Sequence, residues 1–223
     1  MKIFIGAHLD DIEIGCGGYL SYLKDRGELE YIDKKILILS EGRFTNSIDL
    51  SKKRREAFEI NMEKLGIKES EYKILSQRID TEFYNHQHEI KYYLNNLLKE
   101  AQESADCIEV YFHSADNHQD HQIINKLVKE IFRPFLVDRL IEYEIPSSNL
   151  FNQPGDNFNY YFNFNNKIAE MKQELIDSYK NISLFATEDA RDINYTLVFN
   201  RLQGRKLNQD YVERYNIIYT KYI

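Results

Sequence analysis

Residues 2–18 read KIFIGAHLDDIEIGCGG, and this stretch joins a short apolar run to a histidine, two adjacent aspartates and a glycine-rich segment. The apolar run, Lys2–Ala7, predicts a strand buried on both faces, because it does not alternate with polar residues. A helix is predicted over Gly17–Arg26, where Gly27 supplies the left-handed residue that commonly ends helices. A buried strand, a short loop and a helix in this order predict the start of a parallel βαβ unit.

The alternation of strands and helices continues along the chain. Buried strands are predicted over Lys35–Leu39, Tyr72–Leu75, Cys107–Phe112 and Leu140–Ile145, and helices over Ser51–Leu65, Glu89–Glu103 and Asp120–Ile131. Residues 146–166 predict a loop-and-strand excursion, with further helices over Asn166–Lys180 and around Asp189–Leu202. The pattern predicts a three-layer α/β fold, in which helices cover both faces of a mostly parallel sheet and a small C-terminal extension follows. The length of 223 residues suits a single domain, 1–223.

The composition is that of an ordinary globular protein, with 43% hydrophobic and 29% charged residues. The net charge of −7 argues against general nucleic-acid binding, which requires a basic face. The N-terminus lacks the features of a signal peptide and no apolar stretch approaches the ~20 residues of a membrane span, so we expect a cytoplasmic protein. The two cysteines do not form a disulfide framework, and both Cys16 and Cys107 are expected to be small buried residues.

His8, Asp10 and Asp11 directly follow the first predicted strand. Ligands of open α/β sheets bind at the carboxyl ends of strands, and these residues offer metal ligands together with a spare carboxylate for general-base work. The glycines at positions 15, 17 and 18 are expected to let the backbone turn tightly beside a substrate. Two alternatives stay open: the aspartates only cap the next helix, or they hold magnesium as in phosphorylation-receiver domains. The second alternative leaves His8 unexplained, and the chain is about twice as long as such a domain.

A second polar cluster follows the strand predicted over Cys107–Phe112. Residues 113–121 read HSADNHQDH and contain three of the six histidines of the chain. His118 and His121 are three positions apart and share a face if the helix has begun, and Asp120 is placed to accept a ring N–H. Two such clusters at strand ends of one sheet predict a single site.

The two clusters together resemble the motifs of the PIG-L/LmbE-like family, the N-acetylglucosaminyl-phosphatidylinositol de-N-acetylase superfamily. The first family motif is Ala-His-Pro-Asp-Asp followed by Glu and glycines, and residues 7–18 read AHLDDIEIGCGG. The second motif ends in His-x-Asp-His, and residues 118–121 read HQDH. Weaker matches extend the resemblance over nearly the whole chain: Ser40-Glu41-Gly42, Arg54 with Leu65-Gly66, Asp80, Lys172 with Tyr179, Gly204, and Tyr211-Val212-Glu213.

The resemblance implies a Rossmann-like strand order and a zinc-dependent hydrolase that removes the N-acetyl group from an N-acetylglucosamine-like sugar. The implied roles fall on six residues of the two motifs: zinc ligands His8, Asp11 and His121, general base Asp10, oxyanion-stabilising His118, and Asp120, which orients the catalytic centre. The chemistry agrees, since three protein ligands leave zinc an open position for water, whose pKa falls towards ~7. A protonated histidine can meet the tetrahedral oxyanion on the other side. Iron(II) suits the same ligands.

Three further residues are expected to contact the substrate: Arg54, Asp80 and Asp116. The chain departs from the family pattern at several positions. Leu9 replaces the usual proline, Glu13 rather than residue 12 carries the acid, and Asp116 stands where some members have a tyrosine. Asn181-Ile182 replaces the usual Ser-Gln. These changes bear on the substrate more than on the reaction. The expected partner is a small N-acetylated sugar, and a homo-oligomer is compatible with the sequence.

Two alternative functions stay open. One is hydrolysis of another N-acyl or amide small molecule by the same centre. The other is a catalytically silent protein that binds a sugar or a nucleotide, although the first turn lacks the G-x-G-x-x-G pattern that cradles a pyrophosphate. His86 and His88 are expected to be solvated loop residues. The aromatic stretch 157–165 is expected to form an amphipathic strand, with stacking on sugar rings as the alternative.

Overall fold

The computed structural model describes residues 1–41, 48–75, 82–148, 157–180, 182 and 193–221, and strands alternate with helices through most of them. The elements up to residue 131 are β1 (Lys2–Gly6), α1 (Asp11–Asp25), β2 (Lys34–Ile38), α2 (Ile48–Leu65), β3 (Tyr72–Ile74), α3 (Gln87–Ser104), β4 (Glu109–His113) and α4 (Gln119–Ile131). The remaining elements are β5 (Arg139–Tyr143), β6 (Tyr160–Phe164), α5 (Asn166–Asp177), α6 (Ile193–Lys206) and β7 (Tyr211–Thr220).

The strands form one sheet in the order β3-β2-β1-β4-β5-β7-β6. All the neighbours from β3 to β5 pair in parallel, whereas β7 is antiparallel to both β5 and β6. The predicted α/β fold with a mostly parallel sheet is therefore confirmed, and β6, β7, α5 and α6 form its C-terminal extension. Because β1 and β4 are adjacent and parallel, the loops that follow them leave the sheet side by side.

Alternate residues of β1 are buried against opposite helical layers. Ile3 and Ile5 belong to a core cluster with α3 and α4, whereas Phe4 belongs to a second cluster with α1 and α2. This arrangement explains why the first apolar run is continuous, since helices cover both faces of a central parallel strand. Among the described residues, no helix combines the length and apolar character needed to cross a bilayer.

Helix α1 begins earlier than predicted, at Asp11 rather than at Gly17. The glycines at 15, 17 and 18 are therefore helical, and the expected tight turn beside a substrate is wrong. A Cβ atom at position 15 would collide with the ring of Tyr143, and one at position 18 would lie 2.8 Å from a carboxylate oxygen of Glu213. Glycine is a poor helix former, but here it lets large side chains reach the helix backbone, and this packing outweighs its low propensity.

Other expectations have mixed outcomes. Cys16 is buried as expected, but Cys107 is exposed and precedes β4, so its assignment to the core is wrong. The strand expected within 157–165 is present as β6. His86 lies in a 3₁₀ turn and His88 in the first turn of α3, rather than in a loop, and His88 is exposed.

Candidate active site

Two segments at the carboxyl edge of the sheet carry the polar residues of both motifs. His8 and Asp11 follow β1, and the segment containing Asp120 and His121 follows β4. His8 Nε2 lies 3.3 Å from Asp120 Oδ2, and His121 Nε2 lies 3.5 Å from Asp11 Oδ1. The structure thus brings residues far apart in sequence into one buried cluster.

Three buried side chains of this cluster have the composition of a metal site: His8, Asp11 and His121. One ligand atom from each lies within 4.8 Å of the others, and none of the three residues is more than 5% exposed. The Nε2 atom of His121 is buried and has no hydrogen-bond partner among the residues that the structure describes. A buried imidazole nitrogen that has no hydrogen bond and lies beside a carboxylate is available to a metal ion, so these residues fit a divalent cation.

Two overlapping groups also have metal-ligand composition: His8 with His118 and Asp120, and His113 with Asp116 and His121. We favour the group of His8, Asp11 and His121 because of how the His121 ring is turned. Its Nδ1 lies 2.7 Å from Asp116, whereas its unpartnered Nε2 faces Asp11.

The electrostatics of Asp11 and His121 favour a cation between them. Burial raises the pKa of Asp11, but the His113 and His121 rings outweigh it and hold that pKa well below its usual range. Burial lowers the pKa of His121, but Asp11 and Asp116 outweigh it and raise that pKa to about 10. The two carboxylates therefore stabilise positive charge at this ring, and a divalent cation can supply that charge in place of a proton.

Asp116 lies behind the cluster, and both of its carboxylate oxygens have partners within the protein. Oδ2 is bonded to His121 Nδ1 at 2.7 Å, and Oδ1 accepts a hydrogen bond from the backbone N–H of His118 at 2.8 Å. The residue is 1% exposed. A carboxylate on the far nitrogen of an imidazole commonly fixes the tautomer and orientation of a metal-binding histidine. The geometry therefore favours an orienting role for Asp116 over the substrate contact expected from the sequence.

The orienting role makes Asp116→Asn a test of the site. The amide keeps the size of the side chain but removes the charge that holds the His121 ring, so the affinity of the cluster for a divalent cation such as zinc should fall roughly 10–100-fold. Zinc affinity is measured by competition with a chelator. Asp138→Asn is the matched control, because Asp138 also accepts a backbone hydrogen bond, from Ile108 at 2.7 Å, but lies before β5 at the opposite edge of the sheet. Equal zinc affinities in the two variants would contradict this role.

His113, the last residue of β4, is a site residue to which the sequence analysis assigns no role. It is fully buried, and its ring stacks on that of His121 with 3.9 Å between centroids. Its Nε2 lies 3.0 Å from both the backbone nitrogen of Ala7 and Asp11 Oδ2. Burial, and next the charge of His121, lowers the pKa of His113. Its position at the carboxyl end of a buried strand is the sequence signal that could have identified it.

Asp10 is the more exposed of the two adjacent aspartates, with a side-chain exposure of 27% against 5% for Asp11. Arg54 Nη2, from α2, donates to Asp10 Oδ1 at 2.9 Å. Arg54, which was assigned to the substrate, therefore contacts the expected general base in this structure. Asp80, the third residue expected to contact the substrate, lies outside the described residues.

His118 is the N-cap of α4, and its ring is placed by the backbone of that helix. Its Nδ1 accepts a hydrogen bond from the backbone N–H of Asp120 at 3.3 Å, which leaves the proton of a neutral ring on Nε2. Burial, followed by the charges of His121 and His8, lowers the pKa of His118 to about 4. The hydrogen bond at Nδ1 leaves Nε2 as the available donor, and the lowered pKa of His118 disfavours the protonated ring expected from the sequence.

Glu13, the acid of the first motif, is fully buried and connects α1 to distant elements. Its Oε1 accepts hydrogen bonds from Asn61 of α2 at 3.0 Å and from the Tyr179 hydroxyl at 2.7 Å. The same hydroxyl lies 2.8 Å from the carbonyl oxygen of Leu9. Burial raises the pKa of Glu13 to about 8. These contacts tie the start of α1 and the loop before it to α2 and to Tyr179, which follows α5.

A mostly parallel sheet with a buried His/Asp cluster of metal-ligand composition at its carboxyl edge is typical of α/β enzymes that bind a metal ion. A family model described as GlcNAc-PI de-N-acetylase, PIG-L, matches residues 3–132, more than half of the chain. This chain belongs to that family, whose members are deacetylases, that is, metal-dependent hydrolases acting on amide bonds. The resemblance read from the two motifs is confirmed.

Comparison with individual proteins gives one curated deacetylase relative and structural neighbours of different activities. The chain is 29% identical over 146 residues to the uncharacterized deacetylase YaiS of Escherichia coli K12. The aligned region covers 65% of this chain and 73% of YaiS. The structure of N,N'-diacetylchitobiose deacetylase from Pyrococcus horikoshii superposes with a TM-score of 0.72 at 19% identity, covering 97% of this chain and 83% of that one. GalB of Pseudomonas putida KT2440, a 4-carboxy-2-hydroxymuconate hydratase, superposes with a TM-score of 0.65 at 15% identity over 100% of this chain and 98% of GalB. These two structural likenesses establish the fold alone.

Proposed function

We propose that this protein is a zinc-dependent hydrolase that removes the acetyl group from the amine of an N-acetylglucosamine-like sugar. The observation that carries the proposal is the buried group of His8, Asp11 and His121, in which the unpartnered Nε2 of His121 faces Asp11. Asp10 lies next to this group and remains partly exposed. Membership of the de-N-acetylase family supports amide hydrolysis as the reaction and an N-acetylated sugar as the substrate class.

His8, Asp11 and His121 would hold the metal ion, because two imidazole nitrogens and a carboxylate oxygen are typical ligands of catalytic zinc. When bound, zinc supplies a Lewis acid and lowers the pKa of a water molecule towards ~7. Iron(II) is the alternative metal, since these ligands do not discriminate strongly between the two.

Asp10 is proposed as the general base. Its carboxylate is reachable from solvent, unlike that of Asp11, so it can take the proton of an attacking water molecule. The hydrogen bond from Arg54 holds this carboxylate in one orientation. Approach of a substrate oxygen to Arg54 would then also affect the base.

His118 is proposed to stabilise the oxyanion through its Nε2–H. The Asp120 N–H occupies Nδ1, so the ring presents its remaining proton as a donor without carrying a charge. Asp120 and Asp116 are proposed to act indirectly, through the histidines that they contact. Asp120 contacts His8, and Asp116 contacts His121. Both carboxylates therefore orient rings that the mechanism uses.

The proposal is tested with purified protein of known metal content and a panel of N-acetylated sugars, N-acylated amino acids and simple amides. Release of free amine and acetate from one or more of the sugars is expected, with loss of release on chelation and recovery on adding zinc. Preferential hydrolysis of the N-acylated amino acids or the simple amides would indicate that the substrate is an N-acyl compound other than a sugar. Stoichiometric zinc without release from any compound would support a silent binding protein instead.

A further inference from the structure

A buried ion pair from the C-terminal part of the chain reaches the backbone of α1. Lys172 of α5 and Glu213 of β7 are 0% and 2% exposed, and their charged groups are 2.7 Å apart. Lys172 Nζ also donates to the carbonyl oxygen of Ile14 at 2.8 Å, and Glu213 Oε1 accepts from the backbone N–H of Gly18 at 2.6 Å. Both charges are thus directed at one helix.

The two backbone groups contacted by the pair have a specific relation. The N–H of Gly18 and the C=O of Ile14 are four residues apart, so they are the partners that an uninterrupted α-helix would join to each other. Here each of them has an ionic side chain as a partner. A charged side-chain partner on each of these two groups constrains the helix backbone at this point.

The glycines of α1 make this contact sterically feasible. A Cβ atom at Gly17 would lie 3.2 Å from Cγ of Lys172, and one at Gly18 would lie 2.8 Å from Oε1 of Glu213. Asn200 of α6 completes the arrangement, since its Oδ1 accepts a hydrogen bond from Lys172 Nζ at 3.0 Å. Residues of α5 and β7 therefore contact one point of α1, and a residue of α6 holds the Lys172 side chain.

That point is one helical turn from the candidate metal site. The N–H of Ile14, whose carbonyl oxygen Lys172 holds, donates to the carbonyl oxygen of Asp10 at 3.0 Å. Asp11 is the next residue and the first of α1. Two successive hydrogen bonds therefore connect the Lys172 ammonium group to the backbone of Asp10 and Asp11.

We propose that Lys172 and Glu213 are positioning residues, which fix the first turn of α1 and through it the carboxylates of Asp10 and Asp11. The proposal deepens the proposed function and rests on its assignment of Asp11 as a metal ligand. It gives the C-terminal extension a role in the site, although the matched family region ends at residue 132. A pair that served only packing would need no charges, because apolar residues of similar volume are often at least as stabilising.

The test compares Lys172→Met with Lys34→Met in the full-length protein. Lys34 is the matched control, because its side chain is 1% exposed and its Nζ bonds both the Leu29 carbonyl oxygen and Glu71 at 2.9 Å. It begins β2 opposite Lys2, at the edge of the sheet away from His8. Both variants bury a methionine in place of a bonded lysine, so both should lower the melting temperature.

Two measurements made without substrate separate the variants. We expect Lys172→Met, but not Lys34→Met, to weaken zinc binding roughly tenfold or more. Loss of a residue that orients a metal ligand typically has an effect of this size. We also expect faster amide hydrogen exchange in residues 9–18 of Lys172→Met alone. With cobalt in place of zinc, the visible absorption spectrum of this variant should change as the ligand geometry relaxes.

Glu213→Gln serves if Lys172→Met does not fold, because the amide keeps an acceptor for Gly18 while removing the charge. Wild-type zinc affinity and wild-type exchange over residues 9–18 in a folded variant would overturn the proposal, as would equal effects in Lys34→Met. These results are independent of the substrate. A wild-type protein that binds zinc but hydrolyses no N-acetyl sugar would refute the proposed function and leave the positioning role intact.

Discussion

Replacing His121 with alanine is expected to reduce zinc occupancy to near zero and to abolish hydrolysis. The variant removes the nitrogen that faces Asp11 without a hydrogen-bond partner, and with it one of the three proposed ligands. Activity should fall by roughly 10³-fold or more, since a Lewis acid is worth several kcal/mol and about 1.36 kcal/mol corresponds to tenfold in rate. Zinc per chain is measured by elemental analysis after exhaustive dialysis, alongside the rate of amine release.

The fold should survive this change, because α4 packs through apolar residues on its buried face, Ile124, Leu127 and Val128. His88→Ala is the control, since His88 is an exposed histidine in the first turn of α3. It should keep both zinc and activity. Wild-type zinc content in a folded His121→Ala protein would mean that the metal is bound by another group of residues.

The second large effect separates Asp10 from Asp11. Asp10→Asn keeps the size of the side chain and leaves the metal trio complete, but an amide cannot accept the proton of a water molecule. We expect near-normal zinc content with a loss in kcat of roughly 10²–10⁴-fold, the usual contribution of general-base catalysis.

Asp11→Asn is expected to fail differently. A neutral oxygen replaces an anionic ligand between His113 and His121, so zinc affinity should fall first, and excess zinc should restore part of the rate. Zinc titrations of both variants, followed by initial rates at saturating metal, distinguish the two outcomes.

If both aspartates only capped α1, each variant would lose about 1 kcal/mol of stability and little rate. The N-cap geometry argues against that alternative, since Asp10 makes no side-chain cap hydrogen bond and Asp11 lies within the helix. A kcat near wild type in Asp10→Asn would place the general base on another residue. That result would not affect the proposed role of Asp11 as a metal ligand, which the zinc titration of Asp11→Asn tests separately.

Much of the fold and the location of the site are local properties of the sequence. Lys2–Ala7 is apolar throughout, and a short apolar run flanked by polar residues favours a central strand whatever its neighbours are. Polar residues then follow this strand and the strand ending in His113. Since parallel strands end at one edge of a sheet, the meeting of His8 and Asp11 with His121 could be predicted.

The roles of several residues depend instead on orientation within the folded site. Asp116 was assigned to the substrate, but its two oxygens bond to His121 and to the backbone of His118. The charge state of His118 depends on the fold as well. Its pKa depends on burial and on two neighbouring rings, and neither is visible in the order of residues along the chain.

The beginning of α1 shows most clearly the difference between what the local sequence predicts and what the tertiary contacts decide. Residues 15–18 contain three glycines, whose helix propensity is about 1 kcal/mol worse than that of alanine, so the local pattern starts the predicted helix only at Gly17. The helix forms because Tyr143, Lys172 and Glu213, from three later elements, contact its backbone where side chains are missing. Local pattern determined which residues are buried and where the polar groups leave the sheet. Contacts between distant segments decided that α1 begins at Asp11 and which partner orients each histidine ring. The reason is that packing and electrostatic energies depend on neighbours in space.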